Sequence, residues 1–432
     1  MSLAKYDKYK DSGVEWLGNI PAHWNFSRIK TIGSVNGRVG WKALKASEYV
    51  DSGYFFLATP NIKERYIDYE NVNYITYERF IESPEIILKE DDILLTKDGS
   101  TLGTVNIVKN LPGSGTVNSS IAVLRFKKVV NNDYVFFLIV SDYIQNLISQ
   151  KKDGMGVPHL FQKDINNFLL LVPPIPEQTA IATYLDRKTS AIDRKVALLE
   201  QKITHYQQLR KSLINETVCR GLDKNIKLKD SGTEWIGMIP EHWEVKRFKS
   251  FAQTIKGKNL DFSDLYFEKS LPNLSLEYLR NDEVVFQTYC YSSSKSLLVN
   301  EDDYVIVWDG AGVGEILNGK KGYLSSTIAK IVVNGKLMTP KYFFHLRDKI
   351  EYTLKQIPAG MGIPHLNPFV LNNFPCPFPP LTEQTAIAVY LDEKTKKIDS
   401  IVNNIKSQIE TLKELRKTLI NDVVTGKIKV IQ

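Results

Sequence analysis

The sequence predicts an α+β fold with two globular β-rich domains separated by an antiparallel two-helix coiled coil and related by an internal pseudo-two-fold repeat. Three blocks of sequence occur twice in the same order, and each copy ends in a long heptad-patterned segment. The stretches between the repeated blocks, roughly 25–153 and 244–359, share little sequence. A repeat of this length describes two domain-sized units rather than a short solenoid period.

The repeated blocks form a frame around two different inserts. The first block ends in Pro-x-His-Trp, and ten of its fourteen positions are identical in the two copies. The second reads Gly-Met-Gly-x-Pro-His-Leu, and the third, Glu-Gln-Thr-Ala-Ile-Ala-x-Tyr-Leu-Asp, follows a Pro-rich lead. The first block spans 11–24 and is repeated at 230–243. The second spans 154–160 and is repeated at 360–366, and the third spans 177–186 and is repeated at 383–392.

A long helix is predicted after each Pro-rich lead, because apolar residues recur there at heptad spacing. A seam of about five heptads favours a coiled coil, and Gly221 and Gly426 stand where C-terminal caps belong. If the two helices pair along their length, the order of the segments makes them antiparallel and places the inserts at opposite ends. The seam residues are Leu185, Ile192, Val196, Leu199, Ile203, Tyr206 and Leu213, then Leu391, Ile398, Val402, Ile405, Ile409, Leu412, Leu419 and Val423.

The inserts are predicted to be β-rich, with one helix near the end of each. Short β-branched and aromatic runs bounded by Gly, Asn and Asp are typical of strands. A helix is expected from Asp133 to about Gln150 and another from Pro340 to about Gln356, with Thr339 at its N-cap. The predicted strands are 54–58, 92–96, 120–126, 304–308 and 327–333.

Composition sets broad limits on the class of protein. The formal net charge of +7 is compatible with nucleic acid but does not demand it. Three distant cysteines form neither a disulfide framework nor a zinc-site spacing. The charged N-terminus does not resemble a signal peptide, and no run of eighteen apolar residues occurs. We therefore expect a cytoplasmic protein.

One Gly-rich segment raises the possibility of a cofactor site. Asp309-Gly-Ala-Gly-Val-Gly314 follows an apolar strand, where such a turn can cradle a nucleotide or S-adenosylmethionine. The first copy shares only Asp98-Gly99 and a later Gly. We favour the alternative, a tight turn that needs positive φ, because neither segment opens a βαβ unit.

Other signatures of catalysis are missing from the sequence. A DNA adenine methyltransferase needs Asn or Asp before a Pro-Pro-aromatic loop, whereas Val172 and Phe378 precede the two Pro-Pro pairs. No Gly-Lys pair continues into the Ser or Thr of a phosphate-binding loop. No catalytic residue and no metal site is predicted, so motor and methyl-transfer activities are expected to lie in other chains.

The chain resembles the specificity (S) subunit of type I restriction-modification systems. The resemblance rests on the twice-used Pro-x-His-Trp, on the Gly-Met-Gly-x-Pro-His-Leu loop, and on the Pro-Pro-x-x-Glu-Gln-x-Ala-Ile-Ala lead into a long helix. It spans the whole chain, with both copies in the expected order.

This resemblance implies a non-catalytic subunit that reads a bipartite, asymmetric double-stranded DNA site through two target recognition domains. Two modification (methyltransferase) subunits and the restriction (nuclease/translocase) subunits would be its partners. S-adenosylmethionine, ATP and Mg²⁺ would then act on the partners, with no cofactor in this chain. The implied domains are target recognition domain 1 with its N-terminal segment (1–175), long helix 1 (176–221), target recognition domain 2 (222–381), long helix 2 (382–427) and a tail (428–432).

Two sets of candidate site residues follow. Basic residues in the inserts are DNA-binding candidates, because Lys and Arg neutralise phosphates and Arg can bind guanine bidentately. These are Arg38, Lys42, Lys63, Arg65 and Lys97 in the first insert and Lys256, Lys258, Arg280, Lys295, Lys320 and Lys321 in the second. Repeated residues beside the helix starts are candidates for partner docking, namely His159, Glu177, Gln178, His365, Glu383 and Gln384.

Two alternatives to a specificity subunit stay open at this point. A self-contained DNA adenine methyltransferase would bind S-adenosylmethionine, and the missing base-pocket loop argues against it. A coiled-coil structural tether would have no DNA role, and it would have no use for two divergent inserts.

Overall fold

The computed structural model describes residues 5–38, 44–151, 158–281, 287–357 and 364–430. The chain divides into two compact units, residues 1–200 with 406–432 (unit one) and residues 201–405 (unit two). Each unit therefore contains one insert and part of each long helix. Within the described ranges, no helix is both long and apolar enough to cross a membrane.

The first insert and its frame are built from short strands and helices, as predicted. The strands are β1 (Tyr9–Asp11), β2 (Asn19–Pro21), β3 (Asn25–Arg28), β4 (Gly33–Asn36), β5 (Tyr54–Leu57), β6 (Asn73–Ile75), β7 (Ile93–Thr96), β8 (Val105–Ile107), β9 (Gly115–Val117), β10 (Ile121–Phe126) and β11 (Leu169–Val172). The helices are α1 (Ile29–Ile32), α2 (Tyr77–Ile81), α3 (Asn132–Val140), α4 (Asp142–Lys151), α5 (Gln162–Asn167) and the long α6 (Ile175–Arg220). Short 3₁₀ turns span Ala46–Glu48, Thr59–Asn61 and Pro84–Ile86.

The second copy repeats this order in its frame and inner strands but not in its outer strands. Its strands are β12 (Leu228–Asp230), β13 (Met238–Pro240), β14 (Glu244–Arg247), β15 (Ala252–Lys256), β16 (Phe262–Ser263), β17 (Leu271–Leu274), β18 (Tyr289–Cys290), β19 (Leu298–Val299), β20 (Tyr304–Val307), β21 (Ile316–Asn318), β22 (Gly322–Leu324), β23 (Ile328–Val333) and β24 (Pro375–Phe378). The helices are α7 (Leu276–Arg280), α8 (Pro340–His345), α9 (Arg347–Gln356), α10 (Pro368–Asn373) and the long α11 (Leu381–Val424), with 3₁₀ turns at Phe248–Ser250 and Lys295–Leu297.

The sheets show which parts of the repeat share a topology. An antiparallel sheet of order β4-β10-β7-β8 in unit one matches β15-β23-β20-β21 in unit two. The framing pairs also match, β1-β2 with β12-β13 and β3-β11 with β14-β24. The outer sheets differ, because unit one has β6-β5-β9 and unit two has β16-β18-β17-β22-β19. The frame is thus conserved inside the chain and the outer part of each insert is not.

The long helices pair in antiparallel fashion inside each unit, which confirms the prediction. In unit one, Arg416 of α11 donates to Asp193 of α6 (Nε–Oδ2 3.3 Å). Further towards the start of α6, Leu185 shares a core with Val424 near the end of α11. In unit two, Arg210 of α6 contacts Asp399 of α11 (Nε–Oδ1 3.3 Å).

Helix ends and the heptad seam also follow the sequence pattern. The seam residues Val196, Val402 and Ile405 are buried, as a coiled-coil core requires. Gly221 and Gly426 both adopt φ of +76°, the left-handed conformation of a helix C-cap. The Lys427 amide reaches back to the Asp422 carbonyl oxygen (2.8 Å) and closes the last turn of α11.

The insert helices depart from the prediction, because each is broken in two. Ser141 separates α3 from α4 with extended backbone (ψ 154°), and its hydroxyl donates to the Leu138 carbonyl oxygen (2.6 Å). This local hydrogen bond competes with helix continuation. In unit two, α8 ends before Leu346 and α9 begins after it. Thr339 is the N-cap of α8, as predicted, but its hydroxyl makes no capping hydrogen bond.

Each unit has one main hydrophobic core beneath its conserved frame. Trp24 is fully buried in unit one and Trp243 in unit two, each beside the C-terminal end of a long helix. These cores join the helix ends to the conserved sheet, so the frame and the coiled coil fold as one body within each unit. Smaller apolar clusters lie under the outer sheets of the inserts.

The two helix caps provide a matched test of this packing. A methyl group at Gly426 would collide with the Pro21 ring, whereas one at Gly221 would lie 3.1 Å from the Trp243 ring. We expect Gly221→Ala to lower the free energy of unfolding by about 1–2 kcal/mol, because the backbone at this position is left-handed. Gly426→Ala should lower the free energy of unfolding by a further ~1–3 kcal/mol, because its methyl group overpacks the contact with Pro21. Urea denaturation of both variants checks the order, and equal losses would contradict the close contact at Pro21.

Candidate nucleic-acid interface

The Gly-containing turns at the ends of β7 and β20 are tight turns between antiparallel strands. In unit one, Gly99 and Gly103 have φ of +86° and +93°, and the Gly103 amide donates to the Thr96 carbonyl oxygen (2.8 Å). In unit two, Gly310 and Gly314 have φ of +100° and +83°. The favoured prediction of a turn is therefore confirmed, and no helix follows either strand as a dinucleotide fold requires.

The repeated Pro-His-Leu segment packs onto this turn in both units. The preceding residues 152–157 and 358–363, which contain Gly-Met-Gly, lie outside the described residues. Backbone hydrogen bonds fix the segment on both sides of the turn's aspartate. In unit one, the Gly99 amide donates to the Pro158 carbonyl oxygen (3.0 Å) and the Leu160 amide donates to that of Lys97 (2.9 Å). In unit two, the Gly310 amide donates to the Pro364 carbonyl oxygen (2.9 Å) and the Leu366 amide donates to that of Trp308 (2.7 Å).

A carboxylate at each turn binds a histidine and a lysine. In unit one, Asp98 accepts from His159 Nδ1 and from Lys97 Nζ (2.8 Å). In unit two, Asp309 accepts from His365 Nδ1 (2.6 Å) and from Lys256 Nζ (3.0 Å). We call these Lys-Asp-His groups cluster one (Lys97, Asp98, His159) and cluster two (Lys256, Asp309, His365).

The lysine comes from a different strand position in each cluster. Lys97 directly precedes Asp98, and the equivalent residue before Asp309 is Trp308. Lys256 instead comes from the neighbouring strand β15, and its ammonium lies over the Trp308 ring (5.5 Å to the centroid). Gly37 occupies the corresponding place after β4 in unit one. The same charge arrangement is thus built twice with different shapes around it.

Cluster two has an additional cation beside its turn. Arg280, at the end of α7, donates through Nε to Glu315 (Nε–Oε1 3.1 Å) and through Nη2 to the same carboxylate. Gly312 packs against this pair, so Arg280 lies next to the turn. The hydrogen bonds to Glu315 raise the pKa of Arg280, which keeps the exposed guanidinium charged.

Three other predicted DNA-binding residues make contacts within the fold, and of these Arg38 is buried whereas Arg65 is exposed. Arg38 is 4% exposed and donates to the Val117 carbonyl oxygen (3.4 Å), and burial lowers its pKa. Arg65 contacts Asp193 of α6 (Nε–Oδ1 3.4 Å). Lys320 donates to the Tyr278 carbonyl oxygen (2.6 Å) at the end of α7.

The remaining candidates are on the surface or not described. The exposure of the described ones leaves phosphate contact open to them. Lys42 lies outside the described residues, and the exposed candidates are Lys63, Lys258, Lys295 and Lys321.

The glutamates predicted to dock a partner bind the conserved aromatic segment of their own unit. Glu177 accepts from His23 Nε2 (2.8 Å) and from the Tyr6 hydroxyl (2.5 Å). Glu383 accepts from His242 Nε2 (2.6 Å) and Trp243 Nε1 (2.9 Å). Each therefore ties the start of a long helix to Pro-x-His-Trp.

The glutamines that follow are fully buried. Gln178 accepts from the Asn131 amide (2.8 Å) and donates to the Pro173 carbonyl oxygen (2.7 Å). Gln384 accepts from the Thr339 amide (2.8 Å) and donates to the Pro379 carbonyl oxygen (2.9 Å). Docking by these residues stays a prediction, and the buried glutamines can serve it only by holding the helix start in shape.

Sequence reasoning missed the acidic members of the site. The sequence presents Asp98 and Asp309 only as parts of a turn and gives no signal for Glu315. The available signal was that Asp-Gly recurs in both copies together with Pro-His-Leu. Among the described residues, no group of three or more His, Cys, Asp or Glu side chains is placed to hold a metal ion.

Comparison with known proteins decides the family. The family model described as type I restriction modification DNA specificity domain matches residues 21–205 and 240–411, one match in each copy of the repeat. The chain belongs to this family. The predicted resemblance to type I specificity subunits is thereby confirmed.

Similar curated proteins are named as specificity subunits. The type I restriction enzyme MjaVIII specificity subunit of Methanocaldococcus jannaschii is 37% identical over 188 residues, which is 43% of this chain and 43% of that protein. The chain thus spans less than half of that relative. The putative MjaX specificity subunit of the same organism is 23% identical over 436 residues, 99% of each chain.

Solved structures support the fold. A chain in a structure of a type I R-M system that concerns complex assembly and conformational transition has a TM-score of 0.72 at 16% identity, covering 94% of this chain and 98% of that one. The HsdS subunit from Thermoanaerobacter tengcongensis has a TM-score of 0.51 at 16% identity, with 95% and 98% covered. The predicted α+β fold with two β-rich domains and a coiled coil is confirmed.

Cluster two makes a pH-dependent prediction. Burial acts to raise the pKa of Asp309, but hydrogen bonds from His365 and Lys256 outweigh it and lower that pKa. The stabilisation is therefore present above the unfolded pKa of about 3.9 and is lost as pH falls through the lower folded value. We expect Lys256→Met to destabilise unit two at pH 6 and the difference to shrink below about pH 4.

Thermal unfolding of wild type and Lys256→Met across this pH range measures the effect. Lys258→Met, which removes an exposed charge two residues away, is the matched control and should show no such pH dependence. If Lys256→Met is as much less stable than wild type at pH 3 as at pH 6, loss of the ion pair with Asp309 is not the cause of its lower stability.

Proposed function

We propose that this family member reads a bipartite, asymmetric DNA site, with one half read by each insert. Residues 1–175 and 222–381 are the target recognition domains, the long helices 176–221 and 382–427 join them, and 428–432 form a tail. The subunit itself is non-catalytic. S-adenosylmethionine, ATP and Mg²⁺ act on the modification and restriction subunits with which it assembles.

One observation carries this proposal: a common frame presents different charged and aromatic side chains at equivalent turns of the two units. The strand order of the inner sheets is the same in both units, and each turn bears a Lys-Asp-His cluster. The surroundings differ, since unit two adds Trp308 and Arg280 to its turn. A shared scaffold with different side chains at one position is what two separate base sequences require.

A structural tether or a self-contained methyltransferase explains these features less well. A tether does not need basic residues oriented by carboxylates at equivalent turns. The tight turns between antiparallel strands also provide none of the βαβ geometry that holds a nucleotide cofactor. We therefore expect the isolated chain to bind no S-adenosylmethionine.

The proposal predicts separable effects on the two half-sites. Arg280→Ala should weaken recognition of the half-site read by unit two by roughly 1–3 kcal/mol, or about ten- to a hundredfold, if the guanidinium contacts a base. Lys97→Ala should act on the other half-site alone. Methylation mapping in cells that carry the chain with its modification subunit gives the wild-type motif, and DNA binding at fixed salt gives each variant's half-site preference.

The wild-type motif is expected to be interrupted and asymmetric, because the inserts differ. Lys188→Ala, an exposed lysine of α6 outside both inserts, is the matched control and should leave both half-sites unchanged. A palindromic or uninterrupted motif contradicts the proposal, as does loss of the same half-site in Arg280→Ala and Lys97→Ala.

Two grooves at equivalent places support docking of two copies of one modification subunit. In unit one, a cavity of about 540 Å³ is lined by Asp142 and Gln145 of α4 and by Lys417 and Ile420 of α11. Lys417 contacts Asp142 (Nζ–Oδ1 3.2 Å). We call this groove one.

Groove two, in unit two, has the same plan. A cavity of about 620 Å³ is lined by Asp348 and Glu351 of α9 and by Lys211 and Ile214 of α6. Each of these residues is 206 positions from its counterpart in groove one, the offset that also relates Glu177 to Glu383. Two equivalent surfaces in one chain suit two copies of one partner.

Charge reversal in one groove should remove one partner. We expect Lys211→Glu and Lys417→Glu each to reduce the complex from two modification subunits to one, because like-charge contacts at an interface cost several kcal/mol. Light scattering after size exclusion measures the mass. Lys195→Glu, on an exposed part of α6, is the control, and a complex that keeps two modification subunits in both groove variants would rule out these docking surfaces.

A further inference from the structure

Asp193 of the first long helix holds two arginines. Arg416 comes from the second long helix (Nε–Oδ1 3.2 Å), and Arg65 comes from the first insert (Nε–Oδ1 3.4 Å). All three residues belong to unit one. A single carboxylate thus joins the coiled coil to the domain that, under the proposed function, reads DNA.

The equivalent carboxylate in unit two lacks the link to its insert. Asp399 is 206 positions after Asp193, and it contacts Arg210, which is 206 positions before Arg416. Among the described residues of unit two, Arg210 is its one ion-pair partner. Its side chain is 56% exposed, against 22% for Asp193. The helix–helix pair is therefore common to both units, and among the described residues the carboxylate at this position contacts an insert in unit one but not in unit two.

Arg65 lies in a turn that hydrogen bonds hold in place. The Lys63 amide donates to the Tyr66 carbonyl oxygen (3.0 Å), and Ile62 pairs with Ile67 across the turn. Asn106, which is buried in β8, donates to the Lys63 carbonyl oxygen (2.8 Å). Because β8 pairs with β7, which leads into Lys97 and Asp98, the Arg65 turn is hydrogen-bonded to the sheet that carries cluster one.

We propose that Asp193 is a positioning residue that fixes the first insert on the coiled coil through Arg65, and so restricts the spacing accepted between the two DNA half-sites. The inference rests on the proposed function. Partly exposed ion pairs contribute little net stability, so the contact's effect is expected in geometry rather than in folding. Arg65 therefore acts through the fold and not on bases, in contrast to the DNA contact predicted from sequence.

The test uses the full chain in complex with its modification subunit. DNA duplexes carry the wild-type half-sites separated by the native spacer or by a spacer one base pair shorter or longer. We expect Arg65→Gln to reduce the preference for the native spacer by roughly fivefold or more, the lower range of coupling between sites. Base preference within each half-site and the thermal midpoint should stay as in wild type.

The internal repeat supplies the control. Asp399→Asn breaks the equivalent pair in unit two, where the insert has no share in it, and should leave spacer preference unchanged. Arg65→Lys, which keeps the charge, should restore part of the preference. The double variant, Asp193→Asn with Arg65→Gln, should lose no more of the preference for the native spacer than Asp193→Asn alone. This comparison identifies the contact between the two residues even if Asp193→Asn also loosens the pairing of the helices.

Three results would overturn the inference: an unchanged spacer preference in Arg65→Gln, an equal relaxation in Asp399→Asn, or altered base preference in Arg65→Gln with spacing intact. The last result would make Arg65 a DNA-reading residue. Failure of the proposed function looks different, because the wild-type complex would then show no bipartite motif at all.

Discussion

The buried glutamine at the start of each long helix is the contact on which each unit depends. Gln178 links the Pro173 carbonyl oxygen to the amide of Asn131, the residue that caps α3. A buried amide group left without partners costs about 1–3 kcal/mol, so the Pro-rich lead, the long helix and the insert helix must meet at this point. Gln384 makes the same junction in unit two. The same junction is thus present in both units, although the outer sheets of their inserts differ.

Much of this architecture could be predicted because it depends on local patterns. The heptad seam, the glycine caps and the β-branched strands are properties of neighbouring residues. The breaks at Ser141 and Leu346 were missed, because a helix broken for a single residue keeps the apolar pattern of an unbroken one. The sequence also predicts Arg38 and Arg65 to be DNA-binding residues. Burial of Arg38 and pairing of Arg65 with Asp193 depend on contacts distant in the chain, and no local signal reports them.

The candidate site shows the same limit in a more informative way. His159 is 61 residues from Asp98, and His365 is 56 from Asp309, so neither pair is visible in a window of sequence. The repeat did contain the information, because both members of each pair recur. The lysines do not recur at equivalent positions, yet both reach the carboxylate. An internal comparison that searches for repeated charge arrangements, rather than repeated letters, would have found the clusters.

The two helix–helix ion pairs have a consequence for how the gene can change. Asp193 and Arg210 are 17 residues apart on α6, as are Asp399 and Arg416 on α11. Asp193 pairs with Arg416, and Arg210 pairs with Asp399. Both ion pairs can form together only if the two intervals have the same length. A heptad inserted into one interval displaces one pair unless the other interval gains a heptad too. Length changes in the two halves of the gene are therefore expected to be inherited together, while the inserts remain free to lengthen or shorten independently.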